Sequence, residues 1–251
     1  ADLIPQILPG SADEFRLLTD AVGEKGYRQI DINLGCPFPM IAGKHKGAGM
    51  LLYPAQVAEV LAPIAEYPEI QFSLKMRLCW ENASECMLLV ELLNTLRLSR
   101  IALHARTGKQ QYKGHPDLEA FQGFYELCQH PLYYNGDIES LSDIRQILTR
   151  FPLLKGVFIG RGLLSSPLLA KEFKGNETFL PEQRMSIYFA FHEELFSAYS
   201  QVLQGETQLL VKMKTLWEYF LPETDRKLLK RIKKSTRLQQ YTESVKAIFT
   251  S

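Results

Sequence analysis

The segment Asn33-Leu34-Gly35-Cys36-Pro37 places a thiol on a sharp turn directly after the alternating run Gln29-Ile30-Asp31-Ile32-Asn33. The alternation predicts a strand, and Gly and Pro turn the chain at its carboxyl end. A small, weakly acidic thiol in that position serves as a nucleophile or as a proton donor. The competing reading is a buried structural cysteine. The other strand ends decide between the two, because parallel α/β barrels assemble their chemistry at the carboxyl ends of the strands.

Those ends are polar throughout. The first candidate strand stops near Gln6, whose amide both donates and accepts. The third, Ser73-Leu74-Lys75-Met76-Arg77, puts Lys75 and Arg77 on one face, and an inward pair of cations requires an anionic or electron-rich partner. The remaining ends are His104-Ala105-Arg106-Thr107, Asn135-Gly136-Asp137 and Gly160-Arg161-Gly162. Taken singly, Lys75 reads as a Schiff-base lysine, His104 as a satisfied core histidine and Gly160-Arg161-Gly162 as a tight turn. Taken together, a basic group, a histidine and a terminal Gly/Arg phosphate cradle suggest a phosphorylated, polarisable cofactor across a barrel mouth. Flavin mononucleotide, FMN, has that shape.

The elements that must carry these residues alternate. Strands are predicted at Ile4–Leu8, Gln29–Leu34, Gln71–Leu78, Arg100–Ala105, Leu132–Asn135 and Gly156–Ile159, with amphipathic helices between them such as Ala12–Lys25, Ala55–Glu66, Glu85–Leu96 and Leu141–Arg150. Asp13 and Ser142 are the expected helix caps. From Pro181 onward the strand signal gives way to helical stretches at Glu182–Leu203, Gln208–Phe220, Asp225–Ser235 and Arg237–Phe249, linked through Lys174-Gly175-Asn176-Glu177. Residues 1–175 are therefore expected to form a catalytic barrel domain and residues 176–251 a helical domain. A complete (β/α)8 barrel needs roughly 200 residues or more, and only six strand–helix units precede the helical part. If Asn135 and Gly160 end the seventh and eighth strands, the first two units of the barrel are absent from the sequence.

Composition narrows the function classes. The chain has 251 residues, a formal net charge of +1 and average apolar content, which excludes a globally basic protein and argues against disorder. Its four cysteines form no C-x-x-C pair and no Cys/His cluster, so neither a metal site nor disulfides are expected. No membrane span and no signal peptide are expected either, which suggests a cytoplasmic protein.

Five of these motifs, Asn33-Leu34-Gly35-Cys36-Pro37, Lys75-Met76-Arg77, His104-Ala105-Arg106-Thr107, Asn135-Gly136-Asp137-Ile138 and Ile159-Gly160-Arg161-Gly162, occur in the order and spacing of the tRNA-dihydrouridine synthases, which the chain resembles from about Ile4 to Phe173 and more loosely through the tail. The resemblance implies an FMN-binding barrel with a helical domain that helps clamp tRNA. It implies hydride transfer from reduced FMN to C6 of a uracil, with Cys36 protonating C5 and NADPH or NADH re-reducing the flavin. It assigns flavin contacts to Gln6, Lys75, His104, Asn135, Gly136, Asp137, Gly160 and Arg161. Substrate contacts are assigned to Asn33, Arg77 and Arg106, with flavin contact by the two arginines left open. Two departures stand out: the family's opening strand with its Pro-Met turn is not in the sequence, and Leu78-Cys79-Trp80 stands where the family usually carries a Gly near position 79. Trp80 is expected to pack between loop and barrel.

A local basic patch lies in the tail. Arg226 to Arg237 contains seven basic residues and no acid, with Leu228, Leu229 and Ile232 at helical spacing. One face can pack while Lys230, Arg231, Lys233 and Lys234 meet RNA phosphates, with Lys212 and Lys214 extending the patch. Lys44 and Lys46, just past Cys36, are further candidates for the substrate backbone. Tyr188, Phe189, Phe191, Phe196 and Tyr199 are expected to be bundle core. A monomer is expected. Three rival readings stay open at this level: a dihydroorotate-dehydrogenase-like flavin barrel, a phosphate-ligand lyase or isomerase using Lys75 as a covalent amine, and a non-catalytic RNA-binding barrel.

Overall fold

The computed structural model describes residues 3–250. They fold as two compact units, residues 3–137 with 144–158, and residues 138–143 with 159–250. The first unit contains six parallel strands in sequential order: β1 (Gln6–Ile7), β2 (Gln29–Leu34), β3 (Gln71–Arg77), β4 (Leu98–His104), β5 (Leu132–Asn135) and β6 (Gly156–Phe158). The connecting helices are α1 (Ala12–Gly23), α2 (Pro39–Ala42), α3 (Pro54–Leu61), α4 (Cys86–Asn94), α5 (Leu118–Leu127) and α6 (Leu141–Arg150). Sequential rather than doubly wound order is that of a (β/α)8 barrel. Among the described residues β1 and β6 remain the two edges of the sheet.

Alternation explains why the sheet has one apolar face and one polar one. Ile30, Ile32 and Leu34 of β2, Phe72, Leu74 and Met76 of β3, and Ile101 and Leu103 of β4 are fully buried. Their side of the sheet meets the helices: Phe72 lies 5.3 Å from the ring of Phe15 on α1. The residues between them in sequence carry the polar groups to the opposite face. Helix starts differ from expectation by two residues. Ser11, not Asp13, caps α1, its hydroxyl accepting from Glu14 N at 3.2 Å. Ser140, not Ser142, opens α6, accepting from Asp143 N at 3.2 Å while the Asp143 carboxylate accepts from Ser140 N at 2.8 Å. Each cap is the hydroxyl that precedes the first helical turn, where it meets otherwise unpaired N–H groups.

The second unit is helical: α7 (Arg161–Ser165), α8 (Leu169–Gly175), α9 (Pro181–Val202), α10 (Gly205–Leu216), α11 (Arg226–Lys234) and α12 (Leu238–Phe249). Its core joins Leu168, Tyr188, Met213, Trp217, Phe220, Ile232, Tyr241 and Val245, with Phe191, Phe196 and Tyr199 packed on it and Phe189 against Phe249. The aromatic residues of α9 are thus core. The unit boundary after residue 158 lies ahead of the sequence division at 175 because Leu168 joins this core and buried Glu172 pairs with Arg184 of α9. Among the described residues no helix is long and apolar enough to cross a membrane.

A polar knot sits inside the helical core. Trp217 Nε1 donates to the Tyr241 hydroxyl at 2.9 Å, and that hydroxyl lies 2.6 Å from His192 Nε2. Burial lowers the tendency of His192 to ionise and pushes the Tyr241 phenol up, so both stay neutral at ordinary pH. Tyr241→Phe keeps the ring but leaves a buried indole N–H and a ring nitrogen unsatisfied, and is expected to destabilise the protein by about 1–3 kcal/mol. Urea denaturation followed by Trp fluorescence checks this; an unchanged midpoint removes the knot from the stabilising interactions.

Candidate active site

Register sets the site out in rows on the polar face. Gln6 pairs with Asp31 and Asp31 with Ser73; Asn33 pairs with Lys75; Arg77 pairs with His104 and His104 with Asn135. Successive rows are two residues apart along the strands, roughly 7 Å. The expected site residues of β1 to β5 therefore occupy one face and one end of the first unit.

Cys36 is held half-buried just beyond β2. The Asn33 side-chain oxygen accepts from both Gly35 N and Cys36 N at 2.9 Å, closing the turn that presents the thiol. Asn33 Nδ2 donates to Gln6 Oε1 at 2.7 Å, and Gln6 Nε2 donates to Asp31 at 2.6 Å. Behind the thiol, Gly47 adopts φ +56° and a Cβ there would lie 2.8 Å from the Cys36 carbonyl and 3.0 Å from its Cβ. Only glycine fits both the left-handed backbone and the contact. Neither Asp31 nor Gly47 was singled out from sequence. The alternation of Asp31 with Asn33 was the available signal for the first; nothing local announced the second.

The three cations of this face are compensated differently. Arg77 is 2% exposed and donates to the carbonyls of Gly35 at 3.0 Å, Thr107 at 3.0 Å and Gln111 at 2.6 Å, under the ring of Tyr112. Its guanidinium thus ties the loop bearing Cys36 to the loop after β4. Arg106 is 1% exposed and forks onto Asp137, with contacts of 2.7 and 2.5 Å, while also donating to Gly114 O at 2.7 Å. Lys75 is half-buried and makes no hydrogen bond or ion pair among the described residues. Burial first and Arg77 second lower its proton affinity, while Asp31 and Cys36 oppose the shift.

His104 stands among these charges, 6% exposed, with Arg106 Nη1 3.4 Å from its Nε2. A guanidinium only donates, so Nε2 carries the lone pair and Nδ1 the proton. The imidazole is pushed down to about 3, by burial and then by Arg77, Lys75 and Arg106, so it is neutral at physiological pH.

Other expected site residues have separate surroundings. Asn135 Nδ2 donates to Phe158 O at 2.8 Å, joining β5 to β6, and Gly136 and Asp137 follow directly. Lys46 is ion-paired to Glu14 at 2.6 Å, whereas Lys44 is exposed. Trp80 packs against the backbone of Gly108 in the loop after β4, where a Cβ would come within 2.2 Å of its ring; this contact is between loops, whereas packing between loop and barrel was expected. Cys79 takes φ +54°, the conformation glycine adopts without strain. Gly160 and Arg161 open α7 in the second unit, and a Cβ on Gly160 would meet nothing within 4 Å. In the same unit Lys212 rests over the Tyr199 ring, Lys214 donates to Ser235 O at 2.7 Å, and Lys230, Arg231, Lys233 and Lys234 are exposed on α11. Among the described residues no cluster of three or more His, Cys, Asp or Glu side chains could hold a metal ion.

Parallel strands in barrel order, with a thiol, cations and a neutral imidazole at their carboxyl ends, define a barrel-type α/β protein with its polar groups gathered on one face. The solved structures of histamine dehydrogenase from Rhizobium sp. 4-9 and of morphinone reductase share this fold. The first has a TM-score of 0.52 and 16% identity over 66% of this chain and 27% of that one. The second has a TM-score of 0.50 and 14% identity over 69% of this chain and 51% of that one. The dihydrouridine synthase (Dus) family model matches residues 3–250, and the chain belongs to that family. The tRNA-dihydrouridine synthase B of Vibrio vulnificus (strain CMCP6) is 28% identical over 66% of this chain and 54% of its own length. The probable tRNA-dihydrouridine synthase of Aquifex aeolicus (strain VF5) is 36% identical over 58% of this chain and 46% of its own. The chain spans about half the length of the curated relatives it matches.

The state of His104 has a measurable consequence. The unfolded chain binds a proton at this ring below about pH 6.5, whereas the folded chain does so only near 3. The stability contributed by a neutral His104 is thus complete above pH 6.5 and is lost as pH falls towards 3. Moving from pH 7 to pH 5 is expected to lower the urea midpoint of the natural protein more than that of His104→Gln. Equal losses would show that the ring is not held neutral.

Proposed function

We propose that this chain reduces a uridine of tRNA to 5,6-dihydrouridine, with FMN as cofactor. The carrying observation is Cys36, a half-buried thiol fixed by Asn33 at the strand end where unpartnered Lys75 and neutral His104 lie, in a member of the Dus family. The residues fit a flavin: Lys75 is a partly buried cation with no hydrogen-bond partner, and Arg106 Nε is a buried donor with no acceptor among the described residues. Unsatisfied positive donors on one face suit an electron-rich ring system. When bound, FMN reduced by NADPH or NADH supplies the hydride that reaches C6 of the uracil.

The chain's own residues supply the rest. Cys36 gives the Sγ proton to C5 as general acid. Asn33, by holding Gly35 N and Cys36 N, keeps the thiol over one face of the base. Lys75 balances negative charge on the ring, and His104, neutral with its proton on Nδ1, offers a hydrogen bond without adding repulsion between cations. Gln6, Asn135, Gly136 and Asp137 would help hold the cofactor, Asp137 also fixing Arg106. Gly160, with open space where a Cβ would stand, and Arg161 have the residue types a phosphate needs. Arg77 spends its donors on loop carbonyls, so its role is to hold the two loops in place.

Residues 176–251 serve RNA binding, and residues 1–175 the chemistry. Asp225 caps α11, accepting from Lys227 N at 2.8 Å, and Ile232 anchors the helix. The opposite face keeps its charge in water. Lys227, Lys230, Arg231 and Lys234 line a groove of about 420 Å³ beside α12 that suits a phosphate backbone. Lys212 extends this contact; Lys44 is a separate candidate for the substrate backbone, and Lys46 must leave Glu14 to serve as one. The uracil leaves its stack to reach Cys36. A tRNA substrate fits a cytoplasmic site of action.

Cys36→Ala is expected to leave flavin content unchanged and to lower dihydrouridine formation by roughly 10²–10⁴-fold. Mass spectrometry of the treated tRNA checks this, and unchanged turnover would take Cys36 out of the reaction. Replacing Lys230, Arg231, Lys233 and Lys234 by Gln is expected to weaken tRNA binding and flatten its salt dependence by about 0.7–0.9 in log–log slope per lost contact. Filter binding from 50 to 200 mM salt (roughly the range over which such contacts are lost) measures it, and an unaltered slope would place the RNA elsewhere.

A further inference from the structure

Asp31 is 8% exposed in the middle of β2, on the same face as Asn33, and forms no ion pair among the described residues. An ionised carboxylate only accepts hydrogen bonds. Its Oδ2 accepts from Gln6 Nε2 at 2.6 Å and its Oδ1 from Ser73 Oγ at 2.5 Å. With its nitrogen so engaged, the Gln6 amide turns its oxygen towards Asn33 and accepts from Nδ2 at 2.7 Å. At the far end the backbone N–H groups of Gly35 and Cys36 only donate, both to Asn33 Oδ1 at 2.9 Å.

Two side-chain amides thus lie between an acceptor-only carboxylate and donor-only N–H groups. Reversing either amide sets oxygen against oxygen or N–H against N–H, so the chain of bonds has one consistent polarity. We infer that Asp31 is a positioning residue for Cys36, acting through Gln6 and Asn33, an inference that rests on the reading of Cys36 as proton donor. Gln6 thereby acquires a mechanical role besides any contact with a cofactor. β1 is only two residues long, and the Asp31–Gln6 bond supplements its backbone pairing to β2 at the point where the turn is braced.

The test follows alkylation of Cys36 by iodoacetamide at fixed pH on the protein as isolated, read by peptide mass spectrometry, with buried Cys79 and Cys86 as internal controls. Asp31→Ala and Gln6→Ala are each expected to loosen the turn and speed modification by about tenfold, the scale of one lost hydrogen bond. The double variant should be no faster than either single one, because both cut the same chain of bonds. Asp31→Asn, which keeps an acceptor for Gln6 and can donate to Ser73, should stay within about twofold of the natural protein. A natural rate in Gln6→Ala, additive effects in the double variant, or Asn behaving like Ala each overturns the inference. Gln6 is exposed, so its variant decides the matter if Asp31→Ala fails to fold. Alkylation needs neither flavin nor tRNA. The expected pattern together with no dihydrouridine formation by the natural protein would overturn the functional reading and uphold the bracing of the Cys36 turn.

Discussion

Three cations lie on one face of a parallel sheet, and the rest of the site follows from how differently they are held. Arg77 is held by loop carbonyls under the Tyr112 ring, Arg106 is paired with the Asp137 carboxylate, and Lys75 has no hydrogen-bond partner among the described residues. Carbonyls cost the site no further charge, so Arg77 can be almost fully buried while it joins two loops. The summed positive field, with burial, keeps His104 neutral. What remains available for a ligand is the ammonium of Lys75 and a neutral imidazole beside a thiol. A proton on His104 would add a fourth full charge to the three cations already there.

The thiol itself is positioned by polar groups rather than by packing. Asn33 fixes the turn from the front, and Gly47 allows the chain to pass close behind it. Both depend on residues distant in sequence: Asn33 is held by Gln6, and Gly47 approaches only because residues 37–46 loop back through α2. A thiol on a turn braced in this way has little freedom to drift. The same economy recurs after β3, where Cys79 occupies a left-handed position and Trp80 covers the bare backbone of Gly108.

The helical unit solves a different problem. Its core is built from aromatic side chains, and its three buried polar partners, His192, Trp217 and Tyr241, satisfy one another. Because α11 needs only Leu228, Leu229 and Ile232 for packing, the remainder of its surface can carry positive charge at little cost to stability. The basic last turn also faces the negative end of the helix dipole, and Lys214 caps its final carbonyls through Ser235 O.

Much of this was legible in one dimension. Short β-rich segments marked the six strands, and period-two alternation in β3 put Lys75 and Arg77 on one face, because side-chain direction along a strand is set by the backbone alone. The Gly-Cys-Pro turn, the His-x-Arg-Thr segment and the basic amphipathic stretch of α11 were likewise readable, since each is a local pattern with a local physical cause. Partnership was not readable. From sequence Lys46 was a candidate for RNA and Arg77 for substrate or flavin; their partners in the structure are Glu14, 32 positions from Lys46, and carbonyls 30 to 42 positions from Arg77. Asp31 looked like one polar residue of an alternating strand until Gln6 and Ser73 were brought to it from neighbouring strands. The residues themselves determined which chemistry the chain can hold; only the tertiary structure decided which charges are already spent, because hydrogen bonds and ion pairs form between neighbours in space.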